Sequence, residues 1–390
     1  MVAAACGMAA GCAAAVPEER LERPRPSGEV AGALGIDSTA CEVTAKLIPS
    51  CGAWWGIAPE VFTGRKPRRA LASAEQRMRR GAAVMHVYHR DGELFPTRQE
   101  RAIARDPHRP RMLLINWKPS RTHTWAEIAA GAVDDRIDRL AQHIRRTFPE
   151  RFFLTVHHEP EDDVRPGRRS GMTAGDYAAM YRHVVLRLRE KGVHNAVTVM
   201  TYMGAPNLAS APWFERLYPG DDVVDWVALD PYADHRVRDF DDLINKVRPE
   251  YPEWPGFYRW MQRRFPGKPI MLAEWGVFER PDDPGYKRRF FDSVRAKIRN
   301  YPQIKALIYF DSPHAPRGDT RFDATPGAAR AFVRLGADPY FNATPVPRPR
   351  RFTSGSGREA GADHPSDPPV FEPPPEPRRE PASGPAAGSG

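Results

Sequence analysis

From residue 52 onward, short apolar runs alternate along the chain with longer stretches of helical periodicity. The apolar runs are rich in β-branched and aromatic residues and contain few polar positions. Parallel strands that are buried on both faces of their sheet have this pattern, whereas strands with one solvent-exposed face alternate apolar and polar residues. We therefore predict eight buried parallel strands, at residues 52–57, 82–88, 112–117, 152–157, 196–202, 223–229, 269–274 and 305–310.

The intervening stretches carry apolar residues at intervals of three and four, which predicts amphipathic helices. One of them has Thr173 in position for an N-cap and Gly192 at its end. Eight strands alternating with helices predict the α/β class and a single closed (β/α)8 TIM barrel. An open doubly wound sheet is the alternative, but no glycine-rich phosphate-binding loop follows the first strand. The predicted helices cover residues 70–80, 96–103, 133–147, 174–191, 239–264, 285–300 and 326–335.

Composition divides the chain into three regions. Residues 41–343 hold the predicted barrel. Residues 1–40 consist of alanine, glycine, proline and charged residues without apolar periodicity, which indicates a signal- or lipoprotein-like leader and a linker. Residues 344–390 contain twelve of the 41 prolines and few large apolar residues. Such a segment buries too little surface to offset its ordering entropy, so we predict a disordered tail.

The four cysteines lie at positions 6, 12, 41 and 51, and none follows. Their clustering near the N-terminus favours an exported protein over a cytosolic one, although four incidental thiols are the alternative. Cys12 follows a weak lipoprotein-like cleavage box, so we expect a secreted protein that could be lipid-anchored at the cell envelope. Cys41 and Cys51 flank a short loop and are predicted to form a disulfide.

Charge narrows the range of partners. The 58 basic and 49 acidic residues give a net charge of +9, but the basic residues are dispersed. There is neither a basic helix nor a zinc-ligand spacing, so we expect no nucleic-acid partner. No apolar run approaches the roughly 18 residues of a membrane span, and we expect a monomer without a transmembrane segment.

Two glutamates stand at the ends of predicted strands. Glu159 follows the fourth strand beside a histidine pair, and Glu274 ends the seventh strand beside a tryptophan. Barrel enzymes place their catalytic residues at the C-terminal ends of the strands. Two carboxyl groups at that face, about 5–5.5 Å apart, form the acid/base and nucleophile pair of a retaining glycosidase.

Six segments in order resemble the family 26 glycoside hydrolases, which include endo-β-mannanases and belong to a clan with glutamates on strands four and seven. The similarity runs from about residue 52 to residue 313. No single segment is decisive, but six in the right order are. The resembling segments are residues 114–119, 130–135, 158–159, 217–225, 230–232 and 273–276.

The resemblance implies a retaining endo-β-glycosidase that hydrolyses a β-linked plant-type polysaccharide, most readily β-mannan, without a cofactor. Glu159 would be the acid/base and Glu274 the nucleophile. The family usually continues Glu-Met-Asn-Gly at the first site, whereas this chain has Glu-Pro-Glu-Asp at residues 159–162. We therefore expect a divergent member. The alternative is a carbohydrate-binding or cell-wall-associated barrel with little or no turnover.

The remaining predicted site residues surround this pair. Strict strand alternation would place His157, and not His158, on the same side as Glu159. The resemblance instead assigns His158 to the substrate, and we follow it, which leaves His157 as a core histidine under the barrel rim. Asp230 and Tyr232 are expected to line the cleft near Glu274. No metal site is expected, but a metal-dependent hydrolase that uses the acidic segment 157–163 is a further alternative. Sugar stacking is assigned to four aromatic residues, Trp55, Trp117, Trp275 and Phe310.

Overall fold

The computed structural model describes residues 41–341. The predicted leader and linker at residues 1–40, with Cys12, lie outside the described residues, as does the predicted tail at 344–390. The three-region organisation of the chain therefore stays a prediction.

Eight parallel strands close into a barrel, which confirms the predicted (β/α)8 fold class. Each strand pairs with the next one along the chain, and the eighth pairs with the first. A two-residue strand at Tyr232–Ala233, just after the sixth strand, adds a short pairing to the seventh. The barrel strands are β1 (Trp54–Ala58), β2 (Val84–Arg90), β3 (Met112–Lys118), β4 (Phe152–Val156), β5 (Ala196–Tyr202), β6 (Trp226–Leu229), β7 (Ile270–Val277) and β8 (Ile304–Phe310).

The helices pack around the outside of this barrel. The single helix predicted at 239–264 is wrong, because two short helices separated by a loop occupy that stretch. Prolines at positions 249, 252 and 255 lie in the loop, where each lacks the N–H that a helix interior requires. The α-helices are α1 (Pro67–Met78), α2 (Arg98–Ala104), α3 (Trp125–Ala129), α4 (Asp134–Thr147), α5 (Ala174–Glu190), α6 (Pro206–Ala209), α7 (Phe240–Ile244), α8 (Phe257–Arg264), α9 (Tyr286–Lys297) and α10 (Pro326–Gly336).

Alternate strand residues face two separate apolar layers. One set fills the barrel interior, including Trp54, Phe153 and Trp226. The other set packs against the helices in a larger layer. Fully burying each large apolar side chain contributes about 1.5–3 kcal/mol to stability, so the two layers hold the strands in register.

The segment before β1 closes the N-terminal end of the barrel. Leu47 inserts into the interior cluster, and its carbonyl accepts a hydrogen bond from Trp54 Nε1 at 2.7 Å. The carbonyl of Lys46 accepts one from Trp226 Nε1, also at 2.7 Å. The Sγ atoms of Cys41 and Cys51 are bonded at 2.05 Å and hold the ends of this segment together. Among the described residues, this segment covers one end of the barrel, and the strands terminate at the opposite end.

None of the helices in the described part of the chain is long and apolar enough to cross a membrane.

Candidate active site

A β-bulge near the end of β7 turns Glu274 toward the barrel axis. Leu272 pairs with Leu307 and Trp275 with Tyr309, so two residues of β7 lie opposite one residue of β8. Ala273 consequently faces the interior, and so does Glu274, whose carboxylate bonds to residues of the barrel mouth. Without the extra residue, period-two alternation would send Glu274 outward with Leu272.

Two tyrosine hydroxyls hold the Glu274 carboxylate. Tyr232 Oη donates to Oε2 at 2.5 Å, and Tyr88 Oη donates to Oε1 at 2.7 Å. Asp230 fixes the backbone at the same point, because its Oδ1 accepts from the Glu274 N–H at 2.8 Å. The carboxylate is thereby fixed in one orientation. Sequence reasoning missed Tyr88, although its place at an inward-facing position near the end of β2 is a usable signal.

Gly276 makes room for the ring of Tyr232. A Cβ atom at this position would lie 2.8 Å from two ring carbons of Tyr232, closer than such contacts normally come. The glycine therefore lets the tyrosine lie against β7 with its hydroxyl on Glu274. This close approach gives a physical reason for the glycine that follows Glu-Trp in the sequence.

The chain after β4 turns sharply and brings Glu159 to the barrel mouth. His157 and Glu159 both adopt left-handed backbone conformations, each with φ of 51°. Such a conformation costs a non-glycine residue about 1–3 kcal/mol and recurs at functional sites. The Glu159 N–H donates to the Thr201 carbonyl at 3.1 Å, which anchors the turn on β5.

The environment of Glu159 favours its protonated form. Burial, followed by the neighbouring carboxyl groups of Glu274, Glu161 and Asp162, raises the pKa of Glu159 well above its usual range, and Arg317 opposes the rise. Burial also raises the pKa of Glu274, but the hydrogen bonds from Tyr232 and Tyr88 lower it. Of the two glutamates, Glu159 therefore has the stronger preference for the protonated form, while the two phenol hydroxyls favour the charged form of Glu274.

Asp230 is a further buried carboxyl beside Glu274. Its side chain is 1% exposed, and Oδ2 has no hydrogen-bond partner among the described residues. Burial and the neighbouring carboxyl groups of Glu274 and Glu159 raise its pKa well above the usual range.

The structure brings His158 to this cluster. One ring nitrogen lies within 4.8 Å of carboxylate oxygens of both Asp230 and Glu274, a set that could hold a metal ion. Burial, followed by the nearby His157 and Lys118, lowers the pKa of His158 to about 3, so the ring is neutral. A neutral imidazole can both donate to and accept from sugar hydroxyls.

His157 lies instead in the layer behind the mouth. Trp125 Nε1 donates to its Nδ1 at 3.1 Å, and its Nε2 lies 2.7 Å from Asp163 Oδ2. Both ring nitrogens are thus engaged by protein atoms. This arrangement does not support the alternative of a metal held by segment 157–163.

The assignment of three tryptophans to the cleft is wrong. Trp55, Trp117 and Trp275 are each at most 1% exposed and belong to the layer between strands and helices. Trp55 packs on Phe332 of α10 with ring centroids 5.1 Å apart. Trp275 faces outward because the bulge that turns the Glu274 side chain inward also moves the side chain of the next residue to the opposite face of the sheet.

Phe310 does reach the barrel mouth. Its ring lies 5.9 Å from that of Tyr232 and 6.0 Å from that of Phe62. With Ala58, Phe278 and Ala315 it forms a small apolar cluster separate from the two main layers. The cluster supports the Tyr232 side of the site.

Comparisons with known proteins give partial matches. No protein-family profile matches the chain. A stretch of 231 residues is 26% identical to Endoglucanase H of Acetivibrio thermocellus, which covers 57% of this chain. The chain spans about a quarter of the length of that curated relative, 24%.

Solved structures match over more of the fold. A ruminal GH26 endo-beta-1,4-mannanase aligns at a TM-score of 0.51 and 14% identity, covering 76% of this chain and 66% of that one. The YdhT protein from Bacillus subtilis aligns at a TM-score of 0.51 and 11% identity, covering 74% and 85% respectively. The chain therefore has the closed parallel barrel fold of the ruminal GH26 mannanase, with Glu159 and Glu274 at the mouth of its own barrel.

Proposed function

We propose that this protein is a retaining endo-β-glycosidase and a divergent member of glycoside hydrolase family 26. The observation that carries the proposal is the contrast between its two mouth glutamates. Glu274 is held by two phenol hydroxyls that stabilise its negative charge. Glu159 is buried and lies near other carboxyl groups, and both features favour its protonated form. A glycosidase requires one carboxylate and one carboxylic acid in this arrangement.

Each glutamate would act twice in the reaction. Glu159 donates its proton to the glycosidic oxygen while Glu274 Oε attacks the anomeric carbon, which releases the leaving sugar and forms a glycosyl-enzyme ester. Glu159, now ionised, then takes a proton from water as that water attacks the anomeric carbon. The ester breaks, Glu274 regains its charge, and the product keeps the original anomeric configuration.

The first candidate substrate is β-mannan. Support comes from the resembling segments at residues 158–159 and 273–276 and from the fold shared with the ruminal mannanase. The name of the curated relative, Endoglucanase H, places β-glucans second. Because the three tryptophans are buried elsewhere and Phe310 is only 4% exposed, sugar stacking would depend mainly on the half-buried Phe62 beside Phe310.

A polysaccharide panel tests the proposal. The full chain and its Glu274→Gln variant would be incubated with mannan, galactomannan, xylan and mixed-linkage β-glucan, and new reducing ends would be counted. We expect the wild type to release oligosaccharides from at least one polymer and the variant to release almost none. Retained binding of a polymer without any hydrolysis would favour the carbohydrate-binding alternative. Loss of hydrolysis on chelation would favour a metal at His158, Asp230 and Glu274.

We also propose that the protein acts outside the cytoplasm as a monomer. The placement of all four cysteines before residue 52 supports export, as does the bonded pair Cys41–Cys51. Intact mass and light scattering of the protein isolated from its natural compartment would test the location, the disulfide and the monomeric state together.

A further inference from the structure

A turn after β8 carries an arginine to the edge of the active site. Ala315 and Gly318 pair across this turn, and Ala315 packs in the same apolar cluster as Phe278. Phe278 in turn stacks on Tyr232, with ring centroids 5.6 Å apart and an interplanar angle of 21°. Arg317, within the turn, is therefore placed close to the tyrosine that holds Glu274.

Arg317 forms no ion pair with a carboxylate of residues 41–341. In the same loop Arg321 pairs with Asp319 at 2.5 Å, but no carboxylate of residues 41–341 lies within ion-pair distance of Arg317. The side chain is exposed, and its charge is close enough to Glu159 to oppose the rise of that carboxyl's pKa. An unpaired guanidinium thus borders the space in which the sugar must lie.

A second cation lies behind Tyr232. Lys246 is 7% exposed, and its Nζ donates to the Tyr232 carbonyl at 3.0 Å. Asp234, the carboxylate that acts on it, is already paired with Arg248 at 3.4 Å. Burial, opposed by Asp234 and reinforced by Arg248 and Arg317, lowers the pKa of Lys246 to about 8, so it remains mostly charged at neutral pH.

Two of the cations near Tyr232, Arg317 and Lys246, thus form no ion pair among residues 41–341, whereas Arg248 is paired with Asp234. A neutral sugar gains nothing from unpaired cations, and burying an ammonium group costs free energy unless an anion compensates it. A substrate carboxylate beside Arg317 would supply an anion on that side of Tyr232, and a guanidinium binds carboxylates with paired N–H donors.

We infer that Arg317 binds an acidic substituent of the substrate, a uronate carboxylate, and that the buried charge of Lys246 strengthens the attraction from behind Tyr232. The inference rests on the proposed function, because it assigns a substrate class to the same site. The preferred polymer is then a β-linked glycan that carries carboxylated sugars beside the bond to be cleaved.

The test compares matched ligands on the full chain. Neutral β-1,4-linked manno- and gluco-tetrasaccharides and their forms oxidised at C6 to uronates would be titrated by calorimetry at low and high salt. We expect the wild type to bind an oxidised form about tenfold more tightly than its neutral parent at low salt, and less selectively at high salt. Arg317→Gln should reduce this preference to about twofold or less.

Arg146→Gln is the matched control. Arg146 is an exposed arginine in the last turn of α4, which ends near the start of β4 and so at the end of the barrel away from the mouth. This variant should keep the wild-type preference. Equal binding of oxidised and neutral forms by the wild type, or equal effects of the two substitutions, would overturn the inference.

Hydrolysis of the same ligands separates the two proposals. Cleavage of neutral ligands without any preference for the oxidised forms leaves the glycosidase function standing and removes the uronate subsite. Selective, Arg317-dependent binding without cleavage of any ligand keeps the subsite and contradicts the glycosidase function. If the protein shows no binding preference and cleaves none of the ligands, both proposals are contradicted.

Discussion

Tyr232 Oη donates a hydrogen bond of 2.5 Å to Oε2 of Glu274, and this contact links two strand ends that are 42 residues apart in the chain. The tyrosine is itself fixed on three sides. Gly276 leaves room for its ring, Phe278 stacks on it, and Lys246 binds its carbonyl. A carboxylate held so firmly can stay ionised and aimed at one point in the mouth.

Replacing Tyr232 with Phe should lower turnover about 10- to 1000-fold, because it removes one charge-assisted hydrogen bond from the nucleophile. The fold should persist, since the ring and its packing remain. Turnover on the best polymer of the panel and circular dichroism would be measured together. Tyr258→Phe removes a hydroxyl on α8 that contacts Gln262 at 3.3 Å and should leave turnover unchanged. An unaltered rate in the Tyr232 variant would place this residue outside the reaction.

Glu159→Gln should separate substrates by their leaving groups. Hydrolysis of a polysaccharide should fall by about 10²–10⁴-fold, because the sugar leaves only when protonated. Formation of the glycosyl-enzyme from an aryl glycoside with an acidic phenol should be nearly unaffected. The wild type should also lose activity as rising pH removes the proton from Glu159, and the aryl substrate should not show this alkaline limb in its first step. Equal damage to both substrates would show that Glu159 is not the acid.

Much of this architecture is predictable from the sequence, because eight apolar runs and two glutamates at strand ends are visible there. The orientation of individual side chains is not. A single extra residue in β7 reverses which of Glu274 and Trp275 faces inward, and the left-handed turn at His157 and Glu159 has no local sequence signal. Alternation is a reliable guide only within regular strands, whereas barrel strand ends bulge where the catalytic residues lie.

Glu161 should make stability depend on pH. Its side chain is 3% exposed, Oε1 accepts from the Met203 N–H at 3.0 Å, and burial raises its pKa to about 8. The unfolded carboxyl ionises near pH 4.3. The stabilising contribution of the neutral form is therefore complete below about pH 4.3 and is lost as the pH rises through about 8.

Glu161→Gln keeps an acceptor for Met203 and cannot ionise. Its Tm should match that of the wild type at pH 4 and exceed it by several degrees at pH 8. The exposed Glu190→Gln serves as a control and should track the wild type at every pH. A constant Tm difference between Glu161→Gln and the wild type across this range would contradict the raised pKa.

Stability far from the site depends on a buried ion pair between Glu75 of α1 and Arg111, the residue before β3. Glu75 accepts from Arg111 Nε at 2.9 Å and from Nη2 at 2.7 Å, and both side chains are about 5% exposed. Glu75→Ala leaves the buried guanidinium with only the more distant Asp106, whose Oδ2 lies 3.8 Å from Arg111 Nη1, and should cost up to about 3–5 kcal/mol of unfolding free energy. Asp222→Ala removes an exposed partner of Arg182 and should cost at most about 1 kcal/mol. Equal losses of unfolding free energy for the two variants in denaturant titrations would contradict the distinction between the buried and the exposed ion pair.

The most direct measurement of the central claim is covalent trapping of the nucleophile. The full chain would be incubated with 2-deoxy-2-fluoro glycosides of mannose and glucose that carry an acidic leaving group, which slow the breakdown of a glycosyl-enzyme. The account predicts a mass increase of one fluorosugar per chain, located on Glu274 by peptide mapping, with parallel loss of activity and no labelling of Glu274→Gln. Hydrolysis that persists without labelling, or a label on any other residue, would contradict a retaining mechanism in which Glu274 is the nucleophile.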